Sequence, residues 1–166
     1  MKKFVDTLEI IQSILSVILF IALVIVVLIQ VTSRFISHNP VIWSEETARF
    51  LLFWVTLMGA SLSVKNKRHF TIEFFTPEKI KNESIKRFFQ IIPDLCITLF
   101  ALFMVVAGIR YCQMGYLRVG PNSNINMFYI YMAIPIAGAS MVSYSLFHII
   151  QLVSSWKSHT ETNSRI

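Results

Sequence analysis

The sequence predicts an all-α integral membrane protein with four transmembrane helices. Three observations carry that reading. Apolar residues make up 55% of the 166 residues and charged residues only 14%, against about 25% charged in an ordinary soluble domain. Four apolar stretches, at 10–33, 43–64, 91–112 and 127–153, reach the roughly 20 residues that cross a bilayer. Lys and Arg collect in the connections between them. No internal repeat, flexible linker or soluble domain interrupts this pattern, so residues 1–166 form a single four-helix membrane domain. The net charge of +6 comes from those basic connections and points to a membrane surface rather than to nucleic acid.

The first stretch, 10–33, is uncharged. It comes after Met1-Lys2-Lys3, as in a signal peptide. Its apolar part is longer than the roughly 7–15 residues of a signal core, and no clear small-residue cleavage site comes after it, so it is expected to be retained. The second stretch starts with Trp43-Ser44-Glu45-Glu46. In the third, Pro93 marks a kink or a new start, and Asp94 reads as an acid in the first turn of the helix. In the fourth, Pro135 deprives the Tyr131 carbonyl of its helical partner and is expected to bend the chain there. Ala133/Ala137 and Ala139/Ser143 are small pairs four apart, suited to close helix packing.

Eleven of the fifteen Lys and Arg residues lie at the amino end, in the connection between the second and third spans, or in the tail; Arg34, Arg49, Arg110 and Arg118 lie on the other side. Positive charge stays inside, so both termini and the middle connection are predicted to be cytoplasmic. Tyr111, Tyr116, Phe128, Tyr129 and Tyr131 suit an outer aromatic belt, and Trp156 suits an inner one. Within the middle connection, Thr76-Pro77-Glu78 is a helix-start pattern. It is expected to open an amphipathic cytoplasmic helix or an extension of the third span.

The second helix carries the pattern of greatest interest. Glu45, Arg49, Leu52, Thr56, Gly59 and Ser63 are spaced to lie on one face. Most are charged, polar or small, and such residues gather where membrane helices meet protein. Phe50, Phe53, Trp54 and Leu57 lie on the other side. A simpler reading has Ser44 capping the helix, Glu45 and Glu46 favouring its dipole, and Glu45 pairing with Arg49. Length argues for more. Residues 50–64 alone give about 22 Å of helix, less than the ~30 Å hydrocarbon core, so either the bilayer thins there or the charged turn lies at membrane depth.

Other chemistry is sparse. Cys96 and Cys112 would stand about 24 Å apart on one helix, too far for a disulfide. Of the histidines, His148 alone falls inside a predicted span, which disfavours a haem held by two histidines. No nucleophilic triad, phosphate-binding glycine loop or metal motif is present, so neither catalysis nor a cofactor is expected.

The second stretch, together with the residues just after it, resembles the small membrane subunit of TRAP (tripartite ATP-independent periplasmic) transporters, the DctQ-like family. The resemblance rests on Trp43, Glu45 and Glu46, then Phe53 and Trp54, Gly59 and Ala60. A basic turn from Lys65 to Arg68 comes next, then His69, Phe70 and Ile72. Asn126-Met127-Phe128 through Pro135 near the end fits the same pattern. One departure is Glu73, where relatives tend to carry Asp. The resemblance implies an inner-membrane, multi-pass subunit of a sodium-coupled transporter for an organic acid such as sialic acid or a C4-dicarboxylate. It implies a large membrane subunit as partner, carrying the substrate and sodium sites, and a periplasmic substrate-binding protein. The small subunit would be a scaffold that holds the large one in the bilayer and helps dock the binding protein. Trp43, Glu45, Glu46, Arg49, Thr56, Gly59, Ser63 and His69 are the candidate contacts with partner or lipid. Two other readings remain from the residues alone: a self-contained four-helix transporter, and the membrane anchor of a redox complex.

Overall fold

The computed structural model describes residues 2–36, 41–66 and 83–163. They form α1 (Lys2–Ile36), α2 (Ile42–Asn66), α3 (Glu83–Gly115), α4 (Met127–Tyr131) and α5 (Ala133–Asn163). Four stretches are long and apolar enough to cross a membrane: Lys3–Ile36, Ile42–Lys65, Ile91–Gly115 and Met127–Leu152. These are the predicted spans, with α1 reaching further toward the amino end. The helix start at Thr76 and the candidate contact His69 lie outside the described residues.

Two predicted helix boundaries need correction. Asp94 is not in a first turn. α3 starts at Glu83 and continues through Pro93, so Asp94 sits in the helix interior. Apolar patterning reports where a span enters the membrane, not where its helix begins, and membrane helices tolerate an internal proline. Nor does Ser44 cap α2, which starts at Ile42. The Ser44 hydroxyl instead donates back to the Val41 carbonyl at 2.6 Å, and the side chain is fully buried.

The helix is interrupted ahead of Pro135. Met132 separates α4 from α5, while Met132 N–H still bonds the Phe128 carbonyl and Ile136 N–H the Met132 carbonyl. The Tyr131 carbonyl is the one that faces the proline ring nitrogen.

The helices stand in the spatial order α1, α2, α5, α3. α1 packs on α2 and also touches α5, α2 packs on α5, and α5 on α3. Among the described residues α3 shares no substantial surface with α1 or α2. The arrangement is therefore an open row rather than a closed bundle. Small residues set the tightest seam, between α3 and α5. A Cβ on Gly108 would stand 2.7 Å from the Pro135 ring, and one on Gly138 would stand 3.0 Å from Val105 and 3.1 Å from the Ala101 carbonyl. Ala101, Ala133 and Ala137 are fully buried, while Ala139 is exposed. Van der Waals closeness of this kind replaces the hydrophobic effect as the cohesive force inside a bilayer.

Val5 of α1, Val64 of α2, Ala101 of α3, and Met141 and Tyr144 of α5 form the core, with α5 as the common neighbour of the other three helices. α1 otherwise contacts its neighbour along one side and exposes large aliphatic residues such as Ile14, Ile18, Ile21 and Leu28.

Candidate functional site

The first turns of α2 place two adjacent acids in opposite surroundings. Glu45 is exposed and pairs with Arg49 one turn on; their side chains are 61% and 72% exposed. Such a pair adds only a few tenths of a kcal/mol. Glu46 points about 100° further round the helix and is buried. Its Oε2 accepts the backbone N–H groups of Asn122 at 2.9 Å and Ser123 at 2.7 Å. A carboxylate accepting two amides is a charge-assisted tie, stronger than a neutral hydrogen bond.

The segment it holds is a folded loop between α3 and α4. Val119 and Asn126 form an antiparallel bridge. Gly120 N–H bonds the Ile125 carbonyl at 2.8 Å, and Met127 N–H bonds the Arg118 carbonyl at 2.9 Å. Asn124 takes φ 56°, the left-handed region asparagine tolerates. The Asn126 side chain caps α4 by accepting from Phe128 N–H at 2.9 Å. Gly120 is required by proximity: a Cβ there would run into Glu46 Oε1 and stand 2.8 Å from Ser123 Oγ.

This contact also places the amino end of α2 beside the α3–α4 loop, where α1 ends too. The molecule thus has a Trp43 end and an opposite Lys65 end. At the Trp43 end Tyr111 meets Tyr131 edge-on, with centroids 5.9 Å apart, and Tyr116 meets Phe128 at 6.0 Å.

Below the charged turn, Leu52, Thr56 and Ser63 are exposed, and a Cβ added to Gly59 would meet nothing within 4 Å. Thr56 and Ser63 fold their hydroxyls back to the Leu52 and Gly59 carbonyls, at 2.7 and 3.0 Å. The stripe thus stays polar and small without an unsatisfied hydroxyl. Ala48, Met58, Ser61 and Val64 are the buried side of the helix. Phe50, Phe53, Trp54 and Leu57 are half-buried, and Trp43 is exposed. Trp43, Glu45, Arg49, Thr56 and Ser63 therefore lie on exposed surface and Gly59 is half-buried with open space before it, whereas Glu46 belongs to an internal contact.

Three polar clusters had no counterpart among the sequence expectations. Gln12, buried in the apolar α1, donates to Met58 Sδ at 3.2 Å and to Ser61 Oγ, and accepts from Tyr144 OH at 2.8 Å. One amide thereby joins α1, α2 and α5. Its signal is a lone glutamine inside an aliphatic run. At the Lys65 end, Lys65 pairs with Asp6 at 3.1 Å and with Glu9. Between α3 and α5, Thr98 and Ser145 hydroxyls lie 2.7 Å apart and both donate to the Asp94 carbonyl. The Asp94 carboxylate stands 3.9 Å from Nδ1 of the buried His148. Among the described residues no three His, Cys, Asp or Glu side chains converge to hold a metal ion. The polar groups form seams between helices.

Residues 23–156 match the family described as tripartite ATP-independent periplasmic transporters, DctQ component. The chain belongs to this family. The DctQ match covers the second part of α1, all of α2, α3 and α4, and most of α5. Among relatives, the sialic acid TRAP transporter permease protein SiaT of Haemophilus influenzae is 34% identical over 127 residues, 75% of this chain. The matched stretch is 20% of SiaT, so the chain spans about a fifth of that relative's length. The sialic acid TRAP transporter small permease protein SiaQ of Vibrio cholerae is 25% identical over 156 residues, 92% of this chain and 86% of SiaQ. As a DctQ component, the chain is a small permease subunit of a TRAP transporter and not an enzyme. It is a multi-pass protein of the inner membrane.

Proposed function

We propose that this chain is the stationary scaffold of a sodium-coupled TRAP transporter for an organic acid, and that it seats a large transporting subunit against the exposed stripe of α2. The observation that carries the proposal is that stripe. Arg49, Thr56, Gly59 and Ser63 are open on the isolated chain, although charged, polar and small residues are those that membrane helices bury against protein. The names of SiaT and SiaQ support sialic acid, or a related acid, as substrate. That SiaT carries the matched stretch within a much longer permease protein supports a small unit working beside a large one.

In this reading the Lys65 end is cytoplasmic, with the basic connection. The Trp43 end faces outward. There the loop held by Glu46 offers a substrate-binding protein an ordered surface. Substrate and sodium sites belong to the large subunit. Membrane lipids cover the bulky flanks.

Reconstitution tests the division of labour. Liposomes holding this chain alone should take up no sialic acid under an inward sodium gradient, whereas liposomes holding chain and large subunit, supplied with binding protein, should. Uptake by the chain alone would refute the scaffold role, and so would failure of the two membrane subunits to co-purify.

A further inference from the structure

The cations of the Trp43 end are all arginines: Arg34, Arg49, Arg110 and Arg118. Glu45 and Glu46 are the carboxylates there, and the sequence has no Asp or Glu between Asp94 and Glu161. Both are already engaged, Glu45 by Arg49 and Glu46 by the loop amides. Among the described residues Arg110 has no ion pair. It lies on α3, about 7 Å along the helix before its end at Gly115, and its side is exposed.

The surroundings of Arg110 indicate what covers it. Leu99, Phe103, Val106, Arg110 and Gln113 succeed one another at helical spacing on one face. Leu99, Phe103 and Val106 are exposed by 72%, 68% and 56%. A face meeting another membrane helix is built from small residues, as between α3 and α5; a bulky aliphatic face suits acyl chains. Arg110 and Gln113 then come where acyl chains give way to headgroups. Beside them Tyr111, in edge contact with Tyr131, is the amphipathic kind of ring that lies at that depth. An arginine stem lies along apolar surface while its head reaches for the interface. Its planar fork matches phosphate with two parallel hydrogen bonds.

We propose that Arg110, with Gln113 one turn beyond it, holds the headgroup phosphate of an anionic phospholipid against the α3 edge of the row. The site lies on the helix furthest from α1 and is independent of the transport reading. It gives the α3 edge a fixed depth in the leaflet at the Trp43 end.

The test uses the full chain, purified in a neutral detergent, with phosphatidylglycerol as probe and native mass spectrometry as readout. Arg110→Gln should bind phosphatidylglycerol about fivefold more weakly than the wild type, the equivalent of ~1 kcal/mol per basic residue near an anionic surface. Arg110→Lys should recover part of the loss, since it keeps the charge and loses the fork. Both substitutions are on exposed surface and should leave the melting temperature of the chain unchanged. Equal lipid retention by Arg110→Gln and wild type would overturn the proposal. Displacement of the lipid by millimolar inorganic phosphate would assign the site to a free anion and overturn it too. Loss of the large subunit with lipid retention intact would make Arg110 a protein contact, again overturning it.

Discussion

Glu45 and Glu46 have the same chemistry and neighbouring places in the chain, yet only Glu46 is structurally demanding. Replacing it with Ala leaves two loop amides without an acceptor, a loss of about 2–3 kcal/mol. Thermal unfolding of the chain in detergent should report this, while Glu45→Ala should leave the curve nearly unchanged. Gly120→Ala drives a methyl group into the space of the Glu46 carboxylate, so it damages the same contact. The double variant should therefore cost less than the sum of the single ones, with a coupling of about 1–2 kcal/mol. Strict additivity would show that the two residues act apart. Little of this was legible in the sequence. The amides that Glu46 binds are 76 and 77 residues away, and local spacing carries no trace of such a pair. Glu45 and Arg49, four apart, were legible for the opposite reason.

Among the helices, α1 shows how one polar residue can fix an otherwise featureless span. Gln12 offers its amide to Ser61 and Met58 and takes the Tyr144 hydroxyl, while Lys65 gathers Asp6 and Glu9 about a turn nearer the amino end of α1. Gln12→Leu strands the Tyr144 hydroxyl in a dry seam and should destabilise the chain by about 1–2 kcal/mol. Adding Tyr144→Phe should recover part of that loss, since removing both partners of a buried hydrogen bond is less harmful than removing one. Unchanged melting in the single variant would mean that water or another group satisfies Tyr144. The length and apolarity of all four spans were legible because a bilayer imposes them. The interruption ahead of Pro135 was legible because a missing N–H has a definite consequence four residues back. The start of α3 was legible only as one of two alternatives, a separate amphipathic helix or an extension of the third span, since a helix is free to continue beyond the membrane.

The row gives the molecule its shape. α2 and α5 form its middle and α1 and α3 its edges, so the stripe on α2 lies open instead of facing a bundle axis. The sequence located that stripe through its periodicity. It did not reveal that the stripe stays uncovered, which depends on how all four helices stack. Gly59→Leu separates the two situations. Nothing lies within 4 Å of the added Cβ, and leucine favours a helix by up to ~1 kcal/mol over glycine, so the isolated chain should melt no lower than the wild type. Against a seated partner the same side chain overfills the seam, at a cost of about 1–3 kcal/mol, and the large subunit should co-purify poorly. Glu45→Ala should weaken co-purification more than Lys81→Ala. Full recovery of the large subunit with Gly59→Leu would move the seat elsewhere.

The Gln12 amide also sets an order of events at the ribosome. Its links to Ser61 and Met58 close once the first hairpin has been made, because those partners lie only 49 and 46 residues on. The acceptor side of the same amide waits for Tyr144, 132 residues on. Glu46 likewise waits for Asn122 and Ser123. A nascent first hairpin therefore enters the membrane with one amide oxygen and one carboxylate still unanswered. The final hairpin supplies both partners, so the pieces made first are completed by those made last.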